Sequence, residues 1–151
     1  MRSVLGFEGW LPQPGEKLVV RKNSEHHGEL INGEEAVAVR CEQSFGEQFG
    51  IDLWAEVSGT VRHEPYKVWD GMFREHVRRE RLQPEYKGED WIAMKELEAF
   101  DFGWAITCHV AQGSQWNDVL VYDESGVFRE DAKRWLYTAV TRAAKKLTVI
   151  L

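Results

Sequence analysis

Cysteine is scarce: Cys41 and Cys108 stand far apart among 151 residues, and no Cys-x-x-Cys occurs. That pattern supplies neither a disulfide framework nor a zinc ribbon. The His26-His27 pair lacks helical ligand spacing and a nearby carboxylate–His ligand pattern, so no metal site is expected. There is no run of eighteen apolar residues and no secretory-leader pattern, so a soluble, cytoplasmic protein without a membrane partner is expected. No Gly-x-x-x-x-Gly-Lys-Ser/Thr appears, nor even a Gly-Lys dipeptide, so these residues contain no loop to cradle a nucleoside triphosphate. A nucleophile elbow, a paired-carboxylate motif and a dinucleotide glycine fingerprint are missing as well.

Positive charge is also in short supply. Nineteen basic side chains face 25 acidic ones, for a net charge of −6. A dedicated nucleic-acid clamp is normally basic overall. The first hundred residues carry 13 basic and 19 acidic groups, whereas residues 101–151 carry six of each, the basic ones all from Arg129 onward. Any nucleic-acid contact is therefore a narrow groove rather than a broad field. What the chain has in quantity is aromatic and apolar mass: seven Trp, seven Phe and 43% hydrophobic residues. That is a folded chain, one domain or one domain with a small insertion.

Residues 1–15, with two prolines and three glycines, read as an irregular entry segment. Strands are expected at Lys17–Arg21 and Ala36–Arg40 around an Asn32-Gly33 turn, and at Ile51–Val57 and Thr60–His63 around Ser58-Gly59. Residues 70–82 read as a helix whose Arg74, Arg78 and Arg81 row is either a solvated face or a backbone contact. A polar loop at 83–90 follows, and Glu98–Asp101 is expected to be a strand leading into the last fifty residues.

Those last residues hold two dense stretches. In the second, apolar side chains recur at Trp135, Leu136, Ala139, Val140 and Ala143, the spacing of an amphipathic helix, expected over 131–146. Arg134, Thr138, Thr141, Arg142 and Lys145 share the opposite face within an arc of roughly 100°. Hydroxyls beside fixed guanidinium charge suit a phosphate ligand, and they equally describe a solvated basic face. The first stretch, Ala105 to Gln115, reads as a strand edge, a short helix and a Gly-Ser turn before the strand Val119–Tyr122. Its Thr107, His109, Gln112, Ser114 and Gln115 offer groups that bond phosphate or ribose, or that cap a core helix.

Taken together, AITCHVAQGSQW and RWLYTAVTRAAKKLTVI resemble motifs V and VI of the C-terminal motor domain of RecD-like superfamily 1 DNA helicases. The chain keeps Thr107, His109, Gln112, Gly113, Ser114, Gln115 and Trp116, then Tyr137, Thr138, Thr141 and Arg142. It departs at Val110, where the family pattern has Lys. The Pro-Gly-Glu-Lys-Leu run at 14–18 and the Asn32-Gly33-Glu34 turn resemble that family's entry into an inserted SH3-like barrel.

The resemblance implies a three-layer α/β, RecA-like domain from residues 1–29 and 83–151, with a mostly parallel sheet, and an SH3-like β-rich insertion at 30–82. Val119–Tyr122 and Leu147–Ile150 would lie side by side, joined by a right-handed crossover. It implies Arg142 as an arginine finger toward ATP, with Gly113, Gln115 and Arg134 near the nucleotide. It places Thr107, His109, Gln112 and Thr141 along single-stranded DNA. ATP and Mg2+ would serve the complete motor, whose N-terminal P-loop domain is a required partner. Val119 to Glu124 superficially resembles a magnesium-holding strand, but without a P-loop Asp123 has nothing to complete. Two alternatives stay open: a stand-alone single-strand-binding or adaptor module, and a subunit that complements a separate P-loop protein.

Overall fold

The computed structural model describes residues 2–24, 30–44, 50–75 and 95–151; His26, His27, Arg78, Arg81 and the 83–90 loop lie outside them. The chain divides into two compact units, Met1–Ala105 and Ile106–Leu151.

The first unit is built on alternation. In β3 (Gly50–Val57), Ile51, Leu53, Ala55 and Val57 are buried while Asp52, Trp54 and Glu56 turn outward, the period of two that a half-buried strand requires. β3 pairs antiparallel with β2 (Glu35–Gln43) on one edge. On its other edge it pairs antiparallel with β4 (Thr60–Val61) and β5 (Tyr66–Trp69). β1 (Lys17–Val20) joins β2 to β6 (Phe100–Phe102), again antiparallel. A bridge from Val68 to Glu98 links β5 to the residues just before β6. Hydrogen bonding thus runs in a circuit from β3 through β5, Glu98, β6, β1 and β2. Its interior is filled by Leu18, Val20, Ala36, Ala38, Tyr66, Val68, Phe73 and Phe100.

One expectation needs correction here. β1 and β6, expected in a mostly parallel motor sheet, belong to the antiparallel one. The physical reason is local: the Asn32-Gly33 turn leads into β2 with Gly33 N–H on Val20 O at 2.8 Å, and Lys17 to Val19 register antiparallel against Glu35 to Val37. Of the expected 70–82 helix, Gly71–Glu75 form α1, and residues 76–82 lie outside the described residues.

Gly103 marks a close backbone approach. It donates its N–H to Lys17 O at 2.8 Å, and a Cβ there would lie 2.8 Å from Leu18 O and 2.9 Å from Leu18 C. Backbone cannot yield as a flexible side chain does, so Gly103→Ala is expected to cost about 1–3 kcal/mol. A melting curve coincident with wild type would show that the chain moves aside at no cost. Burial, with Asp52 and Glu42 adding, pushes the Cys41 thiol up to about 12. Alkylation of Cys41 at pH 8 is therefore expected to run roughly 10³-fold slower in the folded chain than in urea, read by mass spectrometry of the peptide.

In the second unit, β7 (Trp116–Tyr122) and β8 (Ala143–Ile150) pair parallel, with Val119 opposite Leu147 and Tyr122 opposite Ile150. They lie side by side as expected, with a 3-10 segment (Ser125–Asp131) and α2 (Ala132–Val140) between them. Parallel neighbours need such a crossover because their ends are a strand-length apart. This is a parallel strand pair, and the isolated Val68–Glu98 bridge is parallel too. The helix stops at Val140, six residues earlier than its periodicity suggests. Trp116 N–H takes the Arg142 carbonyl at 2.9 Å, so sheet pairing captures an acceptor that a longer helix would need. Lys145 and Lys146 consequently stand in β8 rather than on the face of Arg142.

Candidate functional site

The expected strand edge and short helix over 105–112 are replaced by consecutive turns. Thr107 starts them: its carbonyl accepts from Ala111 N at 3.0 Å, and its hydroxyl from Val110 N at 3.4 Å. Those bonds use a short polar side chain to compete with helix continuation, as Thr does at turns. His109 O accepts from Gln112 N at 3.3 Å, and Gly113 closes the turn with φ +88°. A Cβ at Gly113 would meet nothing within 4 Å; its need for glycine is conformational.

The turn brings Ser114 against the end of α2, and there the two stretches meet. The Arg142 guanidinium donates from Nε to Thr138 O at 3.0 Å and from Nη1 to Ser114 O at 3.0 Å. From Nη2 it donates to Thr141 Oγ1, also at 3.0 Å. Thr141 gives its own hydroxyl proton to Thr138 O at 3.1 Å. An always-charged fork bonded to Thr138 O, a carbonyl of the helix C-terminus, is favoured by both that orphan acceptor and the dipole there, and the Ser114 carbonyl of the turn adds a second acceptor. The guanidinium is half-buried, so a cation is fixed in the crease between turn and helix.

Other expected positions are placed less tightly. Thr107, His109, Gln112 and Gln115 are exposed along the turn. Arg134 is exposed on α2, one turn before Thr138, whose hydroxyl bonds the Arg134 carbonyl at 2.9 Å. The sheet and helix bring Arg142, Thr141, Thr138 and Ser114 together, and among the described residues no hydrogen bond from the Arg134 guanidinium or the Gln115 amide ties those side chains to that cluster. Val110 is half-buried.

Residues 102–150 match the family model of the UvrD-like helicase C-terminal domain. The match begins in β6 and runs through the turn, β7, α2 and β8. One similar protein is an uncharacterized protein of Methanocaldococcus jannaschii, 33% identical over 87 residues. The aligned stretch is 57% of this chain and 7% of that protein, so the chain spans a small part of its relative's length.

Within the matched segment, several features had no sequence signal. Phe128 stacks on Trp135, with ring centroids 5.5 Å apart and planes 18° from parallel, and lies 6.2 Å from the His109 ring. The next residue, Arg129, has φ 47° and ψ −107°, a strained geometry for a side-chain-bearing residue. Asp123 accepts from Ser125 N at 2.8 Å, and bonds to Ser125 hold its carboxyl below the usual carboxylate range. That carboxylate is a turn former here. Cys108 Sγ donates to Trp135 O at 3.7 Å; burial pushes its thiol up, against the opposing pull of Arg142. Among the described residues, no group of three or more His, Cys, Asp or Glu could hold a metal, and no helix is long and apolar enough to cross a membrane.

Proposed function

We propose that this chain supplies the C-terminal half of an ATP-dependent, RecD-like DNA helicase or translocase, a three-layer RecA-like half with an SH3-like β-rich insertion at residues 30–82. The observation that carries the reading is the Arg142 fork, fixed between α2 and the Ser114 turn within a matched helicase C-terminal domain. Arg142 acts as the arginine finger toward the γ-phosphate of ATP. Gly113 allows close backbone approach, Gln115 faces the ribose and Arg134 assists. Thr107, His109 and Gln112 meet the single strand, with Thr141 at the border between strand and nucleotide.

The donors present fit the outer side of a nucleotide: a guanidinium, an amide and a glycine turn bond phosphate and sugar. They do not hold magnesium, because the one Asp-Glu pair after β7 spends Asp123 on its own turn. Magnesium ligands and the phosphate-cradling loop therefore come from a P-loop partner domain. ATP supplies the phosphoryl group whose cleavage drives stepping, and this chain contributes orientation and positive charge.

A complementing role is favoured over a stand-alone one by β7 and β8. Parallel strands with apolar runs are normally covered on both faces. Here Leu120, Tyr122, Leu147 and Ile150 are between 42% and 64% exposed, and a two-stranded sheet is marginal alone.

Fluorescence anisotropy with a labelled oligonucleotide tests the strand contacts. Weak binding is expected, with log K falling against log salt at a slope of about −0.7 per phosphate neutralised. His109→Ala and Thr107→Ala should weaken it equally for all sequences. Binding indifferent to salt would remove the strand from this surface.

A further inference from the structure

We infer that Thr141 is a positioning residue for Arg142, a role that rests on reading Arg142 as the phosphate-facing group. Three acceptors hold the guanidinium, and two of them, Thr138 O and Ser114 O, are main-chain carbonyls that no side-chain substitution removes. The third, Thr141 Oγ1, is a side-chain atom, 3.0 Å from Nη2. Its lone pairs are aimed because its proton is committed to Thr138 O at 3.1 Å. Thr138 O thus receives both the Thr141 hydroxyl and Arg142 Nε, closing a ring of three hydrogen bonds around the helix end.

This ring fixes the plane of the fork. Carbonyl bonds from Nε and Nη1 leave the guanidinium able to rock, and the hydroxyl on Nη2 removes that freedom. Of the five N–H groups of an arginine, one on each terminal nitrogen remains for a ligand. A phosphoryl oxygen would meet that pair already oriented, which is the value of preorganised donors in transferring charged groups.

Two substitutions separate the hydroxyl from the shape of the side chain. Thr141→Val keeps the branch and volume and removes the oxygen; Thr141→Ser keeps the oxygen. In the purified full chain, 15N NMR of the Arg142 side chain reads guanidinium rotation and N–H exchange directly. Thr141→Val should speed both on the order of tenfold, the effect of one lost hydrogen bond, while Thr141→Ser stays near wild type and both variants melt with wild type. Thr141→Ala provides a second hydroxyl-free variant. Rotation and exchange unchanged in Thr141→Val, or equally raised in Thr141→Ser, would overturn the inference. The motor reading has its own readout: kcat for ATP, measured with a P-loop domain. If NMR shows the Thr141 dependence and Arg142→Lys leaves kcat intact, positioning stands and the finger assignment fails. If Arg142→Lys abolishes kcat while Thr141→Val leaves both kcat and the NMR signature untouched, the finger stands and positioning fails.

Discussion

Replacing Arg142 by lysine should lower ATP turnover of the complete motor by about 10³-fold or more, the range over which arginine fingers act. The chemistry asks for charge on the transferred phosphoryl to be met in a water-poor cleft, at the transition state rather than in the bound ground state. A guanidinium does this with a planar fork; an ammonium is a shorter point charge. The geometry adds a second loss. Arg142 bonds Thr138 O, Ser114 O and Thr141 Oγ1 from three different nitrogens, and a single lysine nitrogen cannot reach all three in the same plane. Nucleotide affinity should change far less than kcat. Arg134→Lys, on an exposed residue outside this cluster, should cost much less. Steady-state hydrolysis with saturating single-stranded DNA measures both. Near wild-type kcat in Arg142→Lys would return this helix face to an ordinary solvated one.

The second large effect concerns stability and lies in the first unit. Glu16 is fully buried, a place where a lone carboxylate is not tolerated. Arg2 reaches it from the amino-terminal 3-10 turn (Arg2–Leu5), with Nε on Oε1 and Nη2 on Oε2 at 2.9 Å. Gln13 N–H adds a bond to Oε2 at 3.0 Å, and Trp104 Nε1 lies 3.4 Å from Oε1. The same guanidinium donates to Gly9 O and to Leu11 O and lies 4.0 Å over the Phe102 ring. One side chain therefore fastens the irregular entry segment to β1 and β6. Arg2→Ala leaves the buried carboxylate without its cation, which costs about 3 kcal/mol in comparable cases. For a unit of this size that is a fall of roughly 10–20 °C in Tm. If the unpaired charge is the cause, Glu16→Gln added to Arg2→Ala should recover part of the loss. A double variant no more stable than Arg2→Ala would instead assign the loss to packing on Phe102.

Much of the β architecture could be read from residue order. Alternation at Ile51, Leu53, Ala55 and Val57 and the Ser58-Gly59 turn fixed β3 and its hairpin to β4, because period-two burial is a local signal. The β7–α2–β8 arrangement was legible instead through the resemblance of residues 105–150 to helicase motifs V and VI, since neither strand alternates in burial. Partner choice was less so. Leu18, Val19 and Val20 are all buried, and such a run suits a central strand in a parallel or an antiparallel sheet alike. The end of α2 escaped because helical periodicity persists through Ala143, while the register Trp116 opposite Ala143 is a long-range fact. Within the site, the residue types around Arg142 were visible, but the acceptors that hold it were not: two are carbonyls, which carry no sequence signature. Glu16 was hidden more completely. In a Pro-Gly-Glu-Lys run it reads as an exposed turn residue, and its partner lies fourteen positions away.

ATP hydrolysis by the purified chain, alone and then with a P-loop motor domain in saturating single-stranded DNA, puts the half-motor directly at stake. Alone, turnover should stay at background, because this sequence contains no loop to cradle the phosphates. With the partner domain, DNA-stimulated turnover should appear and should depend on Arg142. Robust DNA-stimulated hydrolysis by the 151-residue chain on its own, unaffected by Arg142→Lys, would contradict it.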